Sequence, residues 1–158
     1  KEAPGHANGS AHDDGSDLAR GVARLFCDHG IAALTELPLA NGRRVDVIGL
    51  DRKGGVHVAE IKSCRTDFMT DHKWTEYMDY CDHFYFAVAV DFPRGLLPDT
   101  EGQIVADRYG GEILREACHR PLPAARRKAL TLRFARAAAG RLIMPMLDVS
   151  DSIDAQLA

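Results

Sequence analysis

Two short runs rich in β-branched residues, Arg43–Leu50 and Val56–Lys62, are separated by only the five residues Asp51–Gly55, two of them glycines. Nothing else in the chain constrains the fold as tightly, because such a pair reads as a β-hairpin whose register follows from its loop. With Leu50 opposite Val56, Asp46 falls opposite Glu60, and neighbours of that kind have Cβ atoms roughly 4.5–5.5 Å apart. Side chains alternate along a strand, so Asp46, Ile48 and Leu50 share a face with Val56, Val58, Glu60 and Lys62. Two carboxylates and one ammonium thus close an otherwise apolar strip. A slip of one residue would send Asp46 to the other face.

Like charges opposed across a strand pair repel, and burial adds a desolvation cost to each. Lys62 offsets one charge, and a divalent cation would offset two more. Hard carboxylate oxygens suit Mg²⁺ or Mn²⁺; Mg²⁺ typically takes one or two carboxylates and keeps waters and substrate phosphate. Lys62 is then left to hold an attacking water or to steady charge growing on a phosphate. The expectation is a metal-dependent phosphodiesterase site of nuclease type, built from Asp46, Glu60 and Lys62. A Glu-x-Lys triplet alone is common, and a surface hairpin with a salt bridge from Lys62 uses the same residues. The register and the apolar neighbours favour the site.

Around the hairpin the pattern is that of one α/β domain. Leu18, Val22, Leu25 and Phe26 share a helical face after Ser16-Asp17, and Gly30 offers the C-terminal cap. Ile31–Leu37 reads as a first strand. A second helix is expected over Thr66–Cys81, with Trp74, Tyr77, Met78 and Cys81 as its stripe, and a central strand over His83–Val90. Short strands at Gln103–Ala106 and Glu112–Arg115 precede a last helix, Ala124–Leu142. The order is α-β-β-β-α-β, then a hairpin and a helix. Residues 1–16 are polar, Gly-rich and free of aromatics, and read as a disordered tail; 148–158 read as a fraying acidic tail. These ends carry net charges of −2 and −3, which leaves +2 on the domain at 17–147. Nucleic-acid contact therefore needs a local basic face.

Four cysteines without a CxxC pair argue against a zinc ribbon, and reduced thiols fit a cytoplasmic protein. No run of roughly 20 apolar residues is present, so no membrane span is expected. Without a GxxxxGK[ST] loop no nucleotide cofactor is expected, and neither HExxH nor Gly-x-Ser-x-Gly occurs.

Val45-Asp46 followed by Ala59-Glu60-Ile61-Lys62-Ser63 across a hairpin resembles the PD-(D/E)XK nuclease superfamily, whose restriction-endonuclease-like core runs α-β-β-β-α-β around a mixed central sheet. RRVDVIGLDRKG, VHVAEIKSCRTDF, KWTEYMDYCDHFYFAV, IVAD and PAARRKALTLRFARAA are similar to the MmcB-like DNA-repair proteins, over roughly residues 18–142. The resemblance implies that Asp46 and Glu60 bind the metal with the backbone carbonyl of Ile61, and that Lys62 is the catalytic lysine. Position 45 is Val where the motif's name has Pro. A further acid before the hairpin would be Glu36, with Asp17 as the alternative. Lys73 and Tyr77 stand at the spacing of a Gln-x-x-x-Tyr motif found in RecB-type relatives, although the Gln is missing; Tyr77 equally suits the core.

DNA is the expected partner. Arg43, Arg44, Arg52, Lys53 and Arg65 lie around the hairpin, and Arg126, Arg127, Lys128, Arg133, Arg136 and Arg141 stand on the last helix without an acid among them. A solvated helix face explains the second group as well. Asp67, Asp71 and Asp79 most simply serve the second helix's dipole or face solvent. The competing reading is a catalytically silent nuclease-fold module that grips DNA or another repair protein.

Overall fold

A computed structural model describes residues 15–157. Most of the expected N-terminal tail, 1–14, lies outside the described residues, whereas Gly15 and Ser16 already belong to helix α1, Gly15–Asp28. Leu18, Val22, Leu25 and Phe26 form its buried face. Gly30 ends it at φ +73°, a left-handed conformation that glycine adopts without penalty.

Three antiparallel strands follow: β1 (Ala32–Pro38), β2 (Arg44–Leu50) and β3 (Val56–Lys62). The chain then crosses over to β4 (His83–Val88), parallel to β3. Next come β5 (Gly102–Ala106), parallel to β4, and β6 (Gly111–Arg115), antiparallel to β5. The six strands form one mixed sheet in chain order. Helix α1 covers Val47, Ala59, Ile61, Tyr85, Ala87 and Ile104 on one face. It lies so close to the β5–β6 turn that a Cβ at Gly21 would collide with the Asp107 carbonyl. The other face, with Ile48, Val56, Val58, Phe84, Phe86 and Val88, is covered by Trp74, Tyr77, Phe92, Leu97, Leu122 and the start of the last helix. Central β3 is buried along its whole length, as expected of a strand with a layer on each side.

Three expected elements differ. The second helix is not continuous: α2 spans Arg65–Thr70, Asp71–Lys73 break it, and a 3-10 helix takes Trp74–Tyr80. Asp71 is the cause. It is extended at φ −91°, ψ 103°, and its carboxylate accepts the Lys73 N–H at 2.8 Å, a local bond that competes with the helical ladder. The stripe of Trp74, Tyr77, Met78 and Cys81 still faces the core. Strand β4 stops at Val88, and Val90 is exposed. The last helix, α3, does not end near Leu142 but continues through Pro145 to Leu157, so the acidic stretch at 148–157 is helical in backbone. Among the described residues no helix is long and apolar enough to cross a membrane.

Candidate functional site

The hairpin has the expected register from Leu50↔Val56 through Ile48↔Val58 to Val47↔Ala59, and there the ladder stops. Asp46 is therefore not paired with Glu60 as a cross-strand neighbour. Glu36, its neighbour on β1, takes a left-handed φ of 53°, and Val45 packs in the same cluster as Ile48, so alternation breaks around Asp46. The two strands part, and the Asp46 carboxylate turns into the gap to accept the Ile61 N–H at 2.8 Å. Side-chain placement here replaces a ladder bond.

Where β2 and β3 separate, a cleft of about 860 Å³ opens at the C-terminal end of β3. Asp46, Glu60, Ile61 and Lys62 line it, joined by Glu36, Asp67, Asp71 and Lys73 and, from α1, Arg20. The two carboxylates do converge, by a different route from the register expected. Burial first, then the neighbouring Asp46 charge, pushes the Glu60 carboxyl up to about 8. Burial likewise raises Asp46, against the Ile61 N–H and the Lys62 charge, which lower it. Glu60 Oε1 receives Lys62 Nζ at 3.4 Å, while Glu60 Oε2 is buried without a hydrogen-bond partner.

Lys62 is 2% exposed. Burial disfavours its charge, but the hydrogen bond to Asp71 and the charges of Glu60 and Asp71 outweigh that and hold it above its ordinary value. Asp71 is correspondingly lowered: burial works against its charge, and the Lys62 bond prevails. Asp71 is thus a site residue that sequence reasoning missed. It stands nine positions after Lys62, and only the break in the helix turns its carboxylate back to the strand. Asp67 does serve the start of α2, accepting the Ser63 N–H at 3.1 Å. Arg20 of the cleft wall was also missed, since its helical position carries no marker.

The donor set suits a hard cation. Two carboxylates meet, one with an unsatisfied buried oxygen, which costs free energy unless something completes it. Among the described residues no group of three His, Cys, Asp or Glu side chains could hold a metal, so a fully protein-caged ion is not supported. A cation that keeps waters and takes phosphate oxygens fits better.

The basic and aromatic candidates scatter. Glu36 lines the cleft and lies 3.8 Å from Arg44, both well exposed. Asp17 does not line it; its carboxylate accepts Arg108 at 2.7 Å. Arg43 grips Glu76 with two bonds of 2.8 and 3.0 Å. Tyr77 is buried and donates its hydroxyl to the Arg44 carbonyl at 3.3 Å, so it packs rather than facing solvent. Arg126 donates to the Asp79 carbonyl and lies over the Tyr80 ring. Arg127 is bound by Asp82 and the Gly54 carbonyl. Arg52 and Lys53 sit on the hairpin loop, at the far end of a seven-residue strand from Lys62, roughly 20 Å away, so they do not flank the cleft. His57 stacks on His83 and bonds Asp51, apart from the cleft.

A sequence model described as "DNA repair protein MmcB-like" matches residues 2–149. The chain belongs to the MmcB-like family of DNA repair proteins. Every residue of the cleft lies within the stretch that the MmcB-like model matches. Among solved structures the chain is similar to SPO1766, a protein of unknown function from Silicibacter pomeroyi. The two share 47% identity and superpose with a TM-score of 0.80, over 82% of this chain and 88% of that one. No curated protein matches the chain.

Proposed function

We propose that this MmcB-like protein is a Mg²⁺- or Mn²⁺-dependent nuclease of the PD-(D/E)XK type that hydrolyses DNA phosphodiester bonds during repair. The observation that carries the reading is the Glu60 Oε2 atom, buried without a partner beside Asp46 in an open cleft. Asp46 and Glu60 would hold the cation, with the Ile61 main-chain carbonyl as a further donor and Glu36 near enough to the cleft to add another. A divalent cation there supplies Lewis acidity toward a phosphoryl oxygen and lowers the pKa of a bound water. Lys62, kept protonated, donates toward the attacking oxygen or the charge that develops on phosphate. Asp71 fixes the direction of its ammonium. Ser63 is shared with a second cleft of about 1080 Å³, lined by Arg65 and Tyr109 among others, which leaves room for a polymer to extend beyond the reacting phosphate.

The test is a cleavage panel of single-stranded, duplex, flap and branched DNA with Mg²⁺, Mn²⁺ or EDTA, run beside Lys62→Ala. Metal-dependent cutting that Lys62→Ala abolishes supports the nuclease; equal cutting by both proteins removes the mechanism.

One observation favours a second reading. Lys62 is already engaged by Asp71 and Glu60, as in a module that has exchanged catalysis for a stable ion-pair cluster and grips DNA or a repair partner. Calorimetric titration with Mg²⁺ separates the two: no heat of binding, together with retained DNA, selects the module.

A further inference from the structure

Helix α3 is 34 residues long, roughly 50 Å, and only part of it rests on the domain. Leu130, Phe134 and Ala137 pack against the core, Arg133 reaches the Pro38 carbonyl, and Arg141 reaches that of Glu36. The side turned away from that contact carries Leu132, Ala135, Ala139, Leu142 and Met146, all exposed. Leu132 is 56%, Leu142 74% and Met146 64% exposed. Their spacing alternates three and four, and the sequence continues it at Val149 and Ile153. Apolar residues at that interval form a seam that another helix covers.

We infer that α3 is the self-association helix of this protein and pairs antiparallel with α3 of a second copy. Charge decides the occupant and the direction. Residues 124–141 hold six basic residues and no acid, whereas 148–158 hold Asp148, Asp151 and Asp154 and no base. A parallel pair would lay arginines beside arginines; an antiparallel pair lays the basic half of each copy beside the acidic end of the other. DNA is a poor occupant for this seam, since its centre is apolar and the arginines flank it.

Sedimentation equilibrium of the full chain tests the inference. The expected mass is twice the 17.3 kDa of one chain, falling to one chain in Leu142→Glu/Met146→Glu, whose circular dichroism should remain that of a folded α/β domain because both residues are exposed. Dissociation should grow with salt as the attraction between unlike ends is screened. A parent that stays monomeric assigns the seam to another protein and overturns the proposal. A dimer that survives the double substitution overturns it equally, and one that tightens with salt excludes the antiparallel arrangement.

Discussion

The two ends of β3 each meet a buried carboxylate, and only one of these has its oxygens accounted for. At Val56 the partner is Asp82, just before β4 and 1% exposed. Its Oδ1 accepts Leu122 N–H at 2.9 Å and Arg127 Nη2 at 2.7 Å; its Oδ2 accepts Val56 N–H and Arg127 Nη1, both at 2.7 Å. Burial works against its charge, but Arg127 and the two backbone donors hold it well below the usual carboxylate range. At the other end Glu60 has a single long bond from Lys62, an oxygen with no partner, and a carboxyl raised to about 8. A fold able to give Asp82 four donors leaves Glu60 short, and the shortfall faces a cleft. Asp82 ties β3 to α3, whereas Glu60 is arranged for something the chain itself does not provide.

The sharpest break in this contrast is chemical. Asp46→Asn or Glu60→Gln should cut metal-dependent cleavage by about 10³-fold or more, and calorimetry should lose the Mg²⁺ heat, while both variants remain folded. Full cleavage by either would end the assignment of that carboxylate as a ligand. Asp82→Ala should do the reverse. Removing it strands Arg127 and two backbone N–H groups, so urea unfolding should show a loss of about 3 kcal/mol, with Mg²⁺ stoichiometry unchanged in the folded protein.

Acidity gives the two ends opposite signs. A carboxyl that keeps its proton to a higher pH in the fold than in the unfolded chain favours the fold only while protonated. For Glu60 that benefit is complete below its ordinary 4.5 and is lost as pH rises to about 8. It is worth at most about 1.4 kcal/mol for each pH unit in that window. Metal-free protein should therefore lose stability across this range, the slope should flatten in Glu60→Gln, and added Mg²⁺ should protect more strongly at the alkaline end. Asp82, lowered in the fold, contributes stability above its ordinary 3.8 that disappears as pH falls further. Denaturant midpoints at a series of pH values, with and without Mg²⁺, would read both slopes; an unchanged slope in Glu60→Gln would refute the first.

The smallest effect concerns Asp71. Its replacement by Asn should lower kcat about 10-fold with KM little changed, because the Lys62 ammonium loses its orienting partner but stays in place; Asp71→Glu should recover part of the rate. Equal losses in kcat and stability, with no recovery, would mark Asp71 as merely structural.

Local pattern made much of this legible. β-Branched runs and a short loop defined the hairpin through Val47↔Ala59, a 3.6-residue repeat defined α1, and Gly30 closed it. Glu60 and Lys62 were legible together because strand alternation puts them on one face, and Asp46 was legible as their neighbour because the short loop brings β2 back beside β3. The Asp46 carboxylate in the backbone gap was not, since nothing in the string records where a ladder stops. Arg52 and Lys53 were misplaced for a related reason: being close in sequence to a hairpin does not say which of its ends holds the site.

What the amino-acid order determined by itself was the succession of strands and helices, along with the identity of the acids at the end of β3, because these follow from periodicities of two and 3.6 residues. Only the tertiary structure decided that Asp82 is bound by Arg127 from 45 positions away, that Asp71 turns back to Lys62, and that Glu60 keeps an oxygen without a partner. The physical reason is that hydrogen-bond satisfaction is settled among whichever groups packing brings together, and no local repeat in the chain encodes that meeting.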